Sequence, residues 1–265
     1  MKKIALILAA LAVCTSMLLT GCIEGEVSTG NNNGNGGGAS NSADKDNDKD
    51  KDKDDDKDKD KDKDDDKDKD DDKDKDDDKD KDDNSSGGAE YSHSSFDANG
   101  KFTSTFLGIG ADFPTDTWIS YSDEELAEYN GGKSTEAELK AVLASGGAIY
   151  EMMVGKESGS NINIVIQNIS IAGNISEEEY IDVSLLTIED QLESTGTMSN
   201  PHASKNTVSF GGATHYCLDV TGTTLGIDLY ERLVCIKVGD YIGIVTITTM
   251  SESERDDFTK MFYGV

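Results

Sequence analysis

The stretch Asp228-Leu-Tyr-Glu-Arg-Leu-Val-Cys-Ile-Lys-Val238-Gly-Asp-Tyr241-Ile-Gly-Ile-Val-Thr-Ile-Thr-Thr249 decides the fold class. Two runs rich in β-branched and aromatic residues are separated only by Gly239-Asp240, the signature of two antiparallel strands joined by a tight turn. Working outward, further strand signals cover Ala148 to Val154, Asn161 to Ile171 and Thr214 to Val220. In the second of these, Ile162, Ile164 and Ile166 alternate with Asn163, Val165 and Gln167, which reads as a half-buried strand. Lys101 to Phe113 reads as two short strands or one bent one, with Gly108 and Gly110 at the bend and Pro114 ending it.

Helix starts are marked by Ser or Thr followed three residues later by Glu, the spacing of a capping box. Ser122 with Glu125, Thr135 with Glu138, Ser176 with Glu179 and Ser251 with Glu254 fit it. The third opens the longest expected helix, whose Ile181, Leu185, Ile188 and Leu192 fall on one stripe. The fourth opens a terminal helix offering Phe258, Met261 and Phe262 to a core. The order is strands, helices, two strands, a long helix, three or four strands and a final helix. That order predicts an α+β domain with a mainly antiparallel β-sheet flanked by α-helices.

Ahead of this domain the composition changes twice. Lys2 and Lys3 precede an apolar run from Ile4 to Leu19 that ends in Leu19-Thr20-Gly21-Cys22. A charged start, a short apolar core and a small residue before cysteine resemble a bacterial lipoprotein signal. The resemblance implies a signal peptide at 1–21, cleavage between Gly21 and Cys22, and acyl chains on Cys22 that hold the chain to the extracytoplasmic face of the cell membrane. The apolar run stops short of the ~20 residues that span a bilayer.

Residues 22–90 read as the lipidated cysteine followed by a disordered tether. Glu24 to Ser42 is dominated by Gly, Asn and Ser. Asp44 to Asp83 holds 25 Asp, 14 Lys and Asn47, with the decad Lys51 to Asp60 repeated at Lys61 to Asp70. No residue in that tract can enter a core. A flexible coil from Ile23 to Glu90 would span about 45 Å. Asp44, Asp46 and Asp48 alternate like the first ligands of a calcium loop, but Lys49 and Asp55 stand where such a loop needs Gly and Glu.

Residues 91–265 are long enough for one globular domain with its own core. The chain carries a net charge of −29, of which the Asp44–Asp83 tract supplies −11, and the acidic remainder argues against nucleic acid or anionic lipid as a partner of the folded part. Gly100-Lys-Phe-Thr-Ser-Thr-Phe-Leu-Gly-Ile109, Phe113-Pro114, Trp118, Tyr150-Glu-Met152, Asn161-Ile-Asn-Ile-Val165 and Glu179-Tyr180 resemble the PsbP-like lipoproteins of Gram-positive bacteria. This resemblance implies an antiparallel sheet between helices and a binding or assembly role, and it supplies no catalytic residues.

Chemistry is sparse. His215, Cys217 and Asp219 share one face of a strand, with Cys235 on the next, a set that could ligate zinc or be only the wetter side of the strand. If the turn between these strands centres near Gly226, Cys217 and Cys235 lie opposite each other and could form a disulfide; the other reading of the pair is two small buried hydrophobes. Trp118 reads as a core anchor or, less favourably, a sugar platform. No nucleophile elbow, phosphate loop or metal set stands out, so no catalytic residue, metal or cofactor is expected. The reading is a non-enzymatic module that binds an envelope protein, set against a wall-acting hydrolase with a carboxylate pair. An exposed apolar patch would favour the first, and a cleft holding two carboxyl groups the second.

Overall fold

The structure, a computed structural model, describes residues 89–265. The signal peptide, the Gly21–Cys22 cleavage site, lipidated Cys22 and nearly all of the tether lie outside the described residues. No helix among those residues is long and apolar enough to cross a membrane.

The Gly239-Asp240 turn joins two strands, β9 (Ile227–Val238) and β10 (Tyr241–Thr249), in antiparallel register with Tyr241 opposite Val238. Gly239 takes φ 58°, the positive value that a two-residue hairpin loop demands at its first central position. On its other side β10 pairs with β6 (Asn161–Asn168), which pairs with β5 (Ala148–Gly155) and, through β5, with the two-residue β4 (Ile119–Ser120). β8 (Ala213–Thr224) and β7 (Ser199–Phe210) extend the sheet beyond β9, giving the order β4-β5-β6-β10-β9-β8-β7, antiparallel throughout. A second sheet, β1-β2-β3-β11, is built from Ser95–Phe96, Lys101–Ser104, Ile109–Asp112 and Phe262–Gly264. Lys101 to Phe113 is thus two strands, with the bend at Gly108 (φ 69°) and Gly110 inside β3.

The large sheet is covered on both faces. Ile162, Ile164 and Ile166, with Val234, Val245 and Ile247, share a core with the small sheet's Phe102 and Ile109, with Leu139 and Leu143 of α2 (Glu136–Ala144), and with Phe258 of α5 (Glu252–Thr259). Val165, Leu218, Leu233 and Ile244 pack against Leu126 of α1 (Asp123–Tyr129), Tyr180 and Ile181 of α3 (Glu177–Leu185), and Ile188 and Leu192 of α4 (Ile188–Ser194). The fold is therefore the expected α+β sandwich. β6 is not half-buried, however: Asn163 and Gln167 are 2% and 3% exposed, because helices cover the face that alternation assigned to solvent. Its strand also ends at Asn168, whose Oδ1 accepts the Ser170 N–H at 2.8 Å and turns the chain into a short 3₁₀ segment, Ser170–Ala172.

Three capping boxes form as read, at Ser122, Thr135 and Ser176. At Ser251 the hydroxyl caps Glu254 N–H, but the Glu254 carboxylate accepts from Ser160 Oγ at 2.9 Å instead of returning to the cap. The expected long helix breaks at Leu186 and Thr187 into α3 and α4. Ser184 Oγ donates to the Tyr180 carbonyl at 2.8 Å and Thr187 leaves helical geometry at φ −136°. Hydroxyls that bond the backbone locally compete with helix continuation. Ile181, Ile188 and Leu192 keep the predicted stripe, and Leu185 is only partly buried. The final helix stops at Thr259, so Phe262 enters the core from β11, opposite Ala111.

β7 is the strand with no apolar alternation to announce it. Only Ala203 and Phe210 are buried along it, and Pro201 sits where its register with β8 shifts, the place an edge strand tolerates proline.

Candidate functional site

The register between β5 and β6 shifts between Tyr150 and Met152, which leaves Glu151 as the extra residue of a β-bulge. Tyr150 packs in the core on the α3/α4 side and Met152 in the other. A bulge re-aims the side chain it carries, and Glu151 points instead at the chain that leads into the domain. Its Oε2 accepts the Tyr91 hydroxyl at 2.5 Å, and its Oε1 accepts the Ser94 N–H at 2.6 Å. His93 lies between acids: Nδ1 is 3.3 Å from Glu151 Oε2 and 3.0 Å from Tyr91 Oη, and Nε2 is 3.3 Å from Asp123 Oδ1. Asn130 holds the same strand from outside, its amide bonding both the N–H and the carbonyl of Tyr150.

These charges tune one another. The hydrogen bond to Glu151, reinforced by the carboxylates around it and opposed by burial, pushes His93 up to about 9. Burial, then the Glu151 charge, raises the Tyr91 hydroxyl well above its ordinary value. Beside the cluster lies a cleft of about 380 Å³, walled by His93 to Phe96 on one side and by Tyr121 to Glu124 and Leu126 on the other. It holds carboxylates, but the imidazole stands between Glu151 and Asp123. Both ring nitrogens are engaged by carboxylates, and Nδ1 also lies beside the Tyr91 hydroxyl. The arrangement is one of clamping and charge storage.

The sequence-selected residues scatter. His215 Nδ1 meets Glu177 Oε1 at 3.0 Å, just past the point where the β8–β9 ladder ends at Cys217 and Val234, and the same oxygen accepts the Lys237 N–H at 2.9 Å. Asp219 takes a bidentate bond from Arg232, at 2.7 and 3.0 Å. Cys217 is fully buried, and burial pushes its thiol up to about 11. Among the described residues, no group of three or more His, Cys, Asp or Glu is placed to hold a metal ion.

Of the two readings of Cys217 and Cys235, the disulfide is not formed and both side chains are buried. The turn is Leu225-Gly226, with Thr224 opposite Ile227, so Cys217 faces Val234 rather than Cys235. A one-residue offset reverses the side-chain face: Cys217 lies in the core beneath the small sheet, and Cys235 in the core beneath α3 and α4. Trp118 is a core residue, packed on Phe113 and Phe258 at 5.2 and 4.8 Å between ring centroids.

A second surface, not selected from the sequence, is the end of the β8–β9 hairpin. β10 pairs with β9 only as far as Tyr230, so Ile227 to Leu229 project beyond it. At the tip Leu225 is 84% exposed and Ile227 47%. Leu225 adopts φ 52° and Gly226 φ 82°. Such a turn favours Asn, Asp or Gly at both places, and a leucine there carries about 1–2 kcal/mol of backbone strain. Leu225-Gly226 in place of Asn-Gly was the signal available in the sequence.

No family model matches the chain, and no curated protein matches it. Among solved structures it is similar to cyanobacterial PsbP from Synechocystis sp. PCC 6803, at 12% identity over 62% of this chain and 91% of that one, TM-score 0.40. It is also similar to LpqN of Mycobacterium tuberculosis, described as involved in cell envelope biogenesis, at 11% identity over 58% and 82%, TM-score 0.34. A Pseudomonas aeruginosa protein of unknown function, a putative regulator, shares 19% identity over 38% and 67%, TM-score 0.28.

Proposed function

We propose that this chain is a lipid-anchored, extracytoplasmic binding module of the PsbP-like lipoprotein kind, held to the membrane by Cys22 and carried on the tether at 22–90. It docks an envelope protein through the β8–β9 hairpin tip and performs no catalysis. The observation that carries this reading is Leu225, the most exposed large apolar residue described, held in a left-handed conformation. A strained residue that contributes nothing to the core marks a functional position. The carboxylate-pair reading is weaker, because His93 fills the space between Glu151 and Asp123 that a sugar and its attacking water would need.

Leu225→Asn tests it with opposite signs on two readouts. Asparagine tolerates positive φ, so the variant is expected to gain about 1 kcal/mol in urea unfolding. Cross-linking on intact cells, with the full chain and with a version lacking 91–265 as control, is expected to capture a partner that depends on the domain and is lost with Leu225→Asn. Equal capture by both full-length chains would remove the tip as the docking surface. Capture unchanged without the domain would remove the binding-module reading itself.

A further inference from the structure

We propose that Glu90 to Phe96 is a strap that closes the cleft beside Glu151, and that it is released when the chain ahead of it is pulled or when His93 loses its proton. This inference stands apart from the hairpin tip and does not depend on it.

The strap makes little regular structure. Residues 89–94 lie in neither helix nor strand, and β1 adds only two pairs, Ser95 with Thr103 and Phe96 with Phe102. Side chains from three other elements hold it instead. Lys140 of α2 pairs with Glu90 at 3.0 Å, and Glu151 of β5 takes Tyr91, His93 and Ser94. Asp123 of α1 meets His93 Nε2, and Glu136 of α2 accepts the His93 N–H at 3.4 Å. The same residues, His93 to Phe96, form one wall of the cleft, and Leu126 on the opposite wall is 4% exposed. Detaching the strap therefore removes that wall.

The contacts come in chain order, beginning with the first residues after the tether. A pull on the preceding chain reaches Glu90, Tyr91 and His93 one after another and then peels β1 from the edge of the small sheet, while β2, β3, β11 and the large sheet stay packed behind. The strap's apolar anchors are two rings, Tyr91 on Phe106 at 5.4 Å and Phe96 on Phe102 and Phe113 at 5.3 and 6.2 Å, and most of its polar contacts are part-buried or exposed; a terminal segment tied by so few groups opens locally before the whole unfolds.

Charge gives the second trigger. The groups facing His93 are Glu151, Asp123 and Glu136, all carboxylates, together with the neutral Tyr91 hydroxyl; Lys140, one turn along α2 from Glu136, is already paired with Glu136 at 2.9 Å and with Glu90. The histidine's folded value lies above its ordinary one, so its contribution is complete below about 6.5 and is lost as pH rises through about 9. Without that proton, the Glu151 and Asp123 carboxylates face each other across a neutral ring, with Glu136 at the backbone N–H beside them.

Thiol accessibility in the full chain carrying Leu126→Cys tests this. Modification by iodoacetamide is followed peptide by peptide and corrected for the thiolate fraction. The introduced thiol is expected to be protected at neutral pH, and to react on the order of tenfold faster with His93→Gln added, as local opening requires. Without that second change, its corrected rate should rise by a similar factor through pH 9. Cys217 and Cys235 should stay protected in every case. A rate at the introduced thiol indifferent to both changes would overturn the proposal, and so would Cys217 and Cys235 reacting in step with it, since the opening would then be global. Pulled by its ends in an optical trap, the chain should give a step of roughly 25 Å, the reach of seven residues, before the domain unfolds. A single global transition would overturn the mechanical half.

Discussion

Asp219→Ala is expected to destabilise the domain by about 3 kcal/mol, because it strands a guanidinium that the fold has already taken out of water. Arg232 and Asp219 side chains are 11% and 13% exposed, and the two are joined by a bidentate pair. Arg232 keeps only Asp256, at 3.0 Å, and the Thr259 hydroxyl, at 3.2 Å, when Asp219 is removed. Arg255, itself 5% exposed, also loses Asp219 as a neighbour at 3.9 Å. A loss of this size lowers the midpoint of thermal unfolding by about 6–12 °C in a domain of this length. Asp256→Ala provides the contrast. That carboxylate is 45% exposed, so water can replace it beside Arg232 and Arg255 and its loss should be the smaller of the two. Urea unfolding of the two variants measures the difference, and an Asp219→Ala loss no greater than that of Asp256→Ala would show that the network is not desolvated as the structure places it.

The second large effect is expected at Glu231, with a sign that depends on pH. This carboxyl is fully buried on β9 with the Thr248 hydroxyl as donor at 3.1 Å, and burial raises it from 4.5 to about 7. The folded chain thus keeps a proton that the unfolded chain has released. Folding carries no penalty from this group below pH 4.5, a growing one as pH rises toward 7, and a constant one of about 3 kcal/mol above it. Glu231→Gln removes the charge while keeping an acceptor for Thr248. Its stability relative to the parent should be near zero or negative at about pH 4.5 and climb to about +3 kcal/mol by about pH 8. Urea unfolding across that range reads the difference directly, and a difference independent of pH would mean that Glu231 does not titrate inside the core.

Both residues are visible in the sequence without their roles. Glu231-Arg232 interrupts an apolar strand, and alternation assigns one to each face but says nothing of what covers that face. β6 shows the same gap: alternation makes Asn163 a solvent-side residue, yet it is buried, and its Oδ1 has no hydrogen-bond partner among the described residues. His93 stands among Ser92, Ser94 and Ser95, and nothing local distinguishes a solvated histidine from one held by a glutamate 58 positions away.

By itself the sequence determined the α+β class, the strand pairs closed by short turns, and the cap residues that start the helices. Each of these rests on interactions within a few residues: a turn's φ, a hydroxyl reaching an N–H three positions on, an alternation of side chains along one strand. It also set the charge and the strong contrast between the Lys-Asp tract and the apolar domain, which are sums over residues and need no geometry. Tertiary structure alone decided the rest. The turn centres between Leu225 and Gly226 rather than on Gly226, which shifts the register by one residue and sends Cys217 and Cys235 to opposite cores. The bulge at Glu151 turned an inward carboxyl toward the strap. Side-chain direction in a sheet reverses with every residue, so register, which long-range packing fixes, governs which chemical groups can meet.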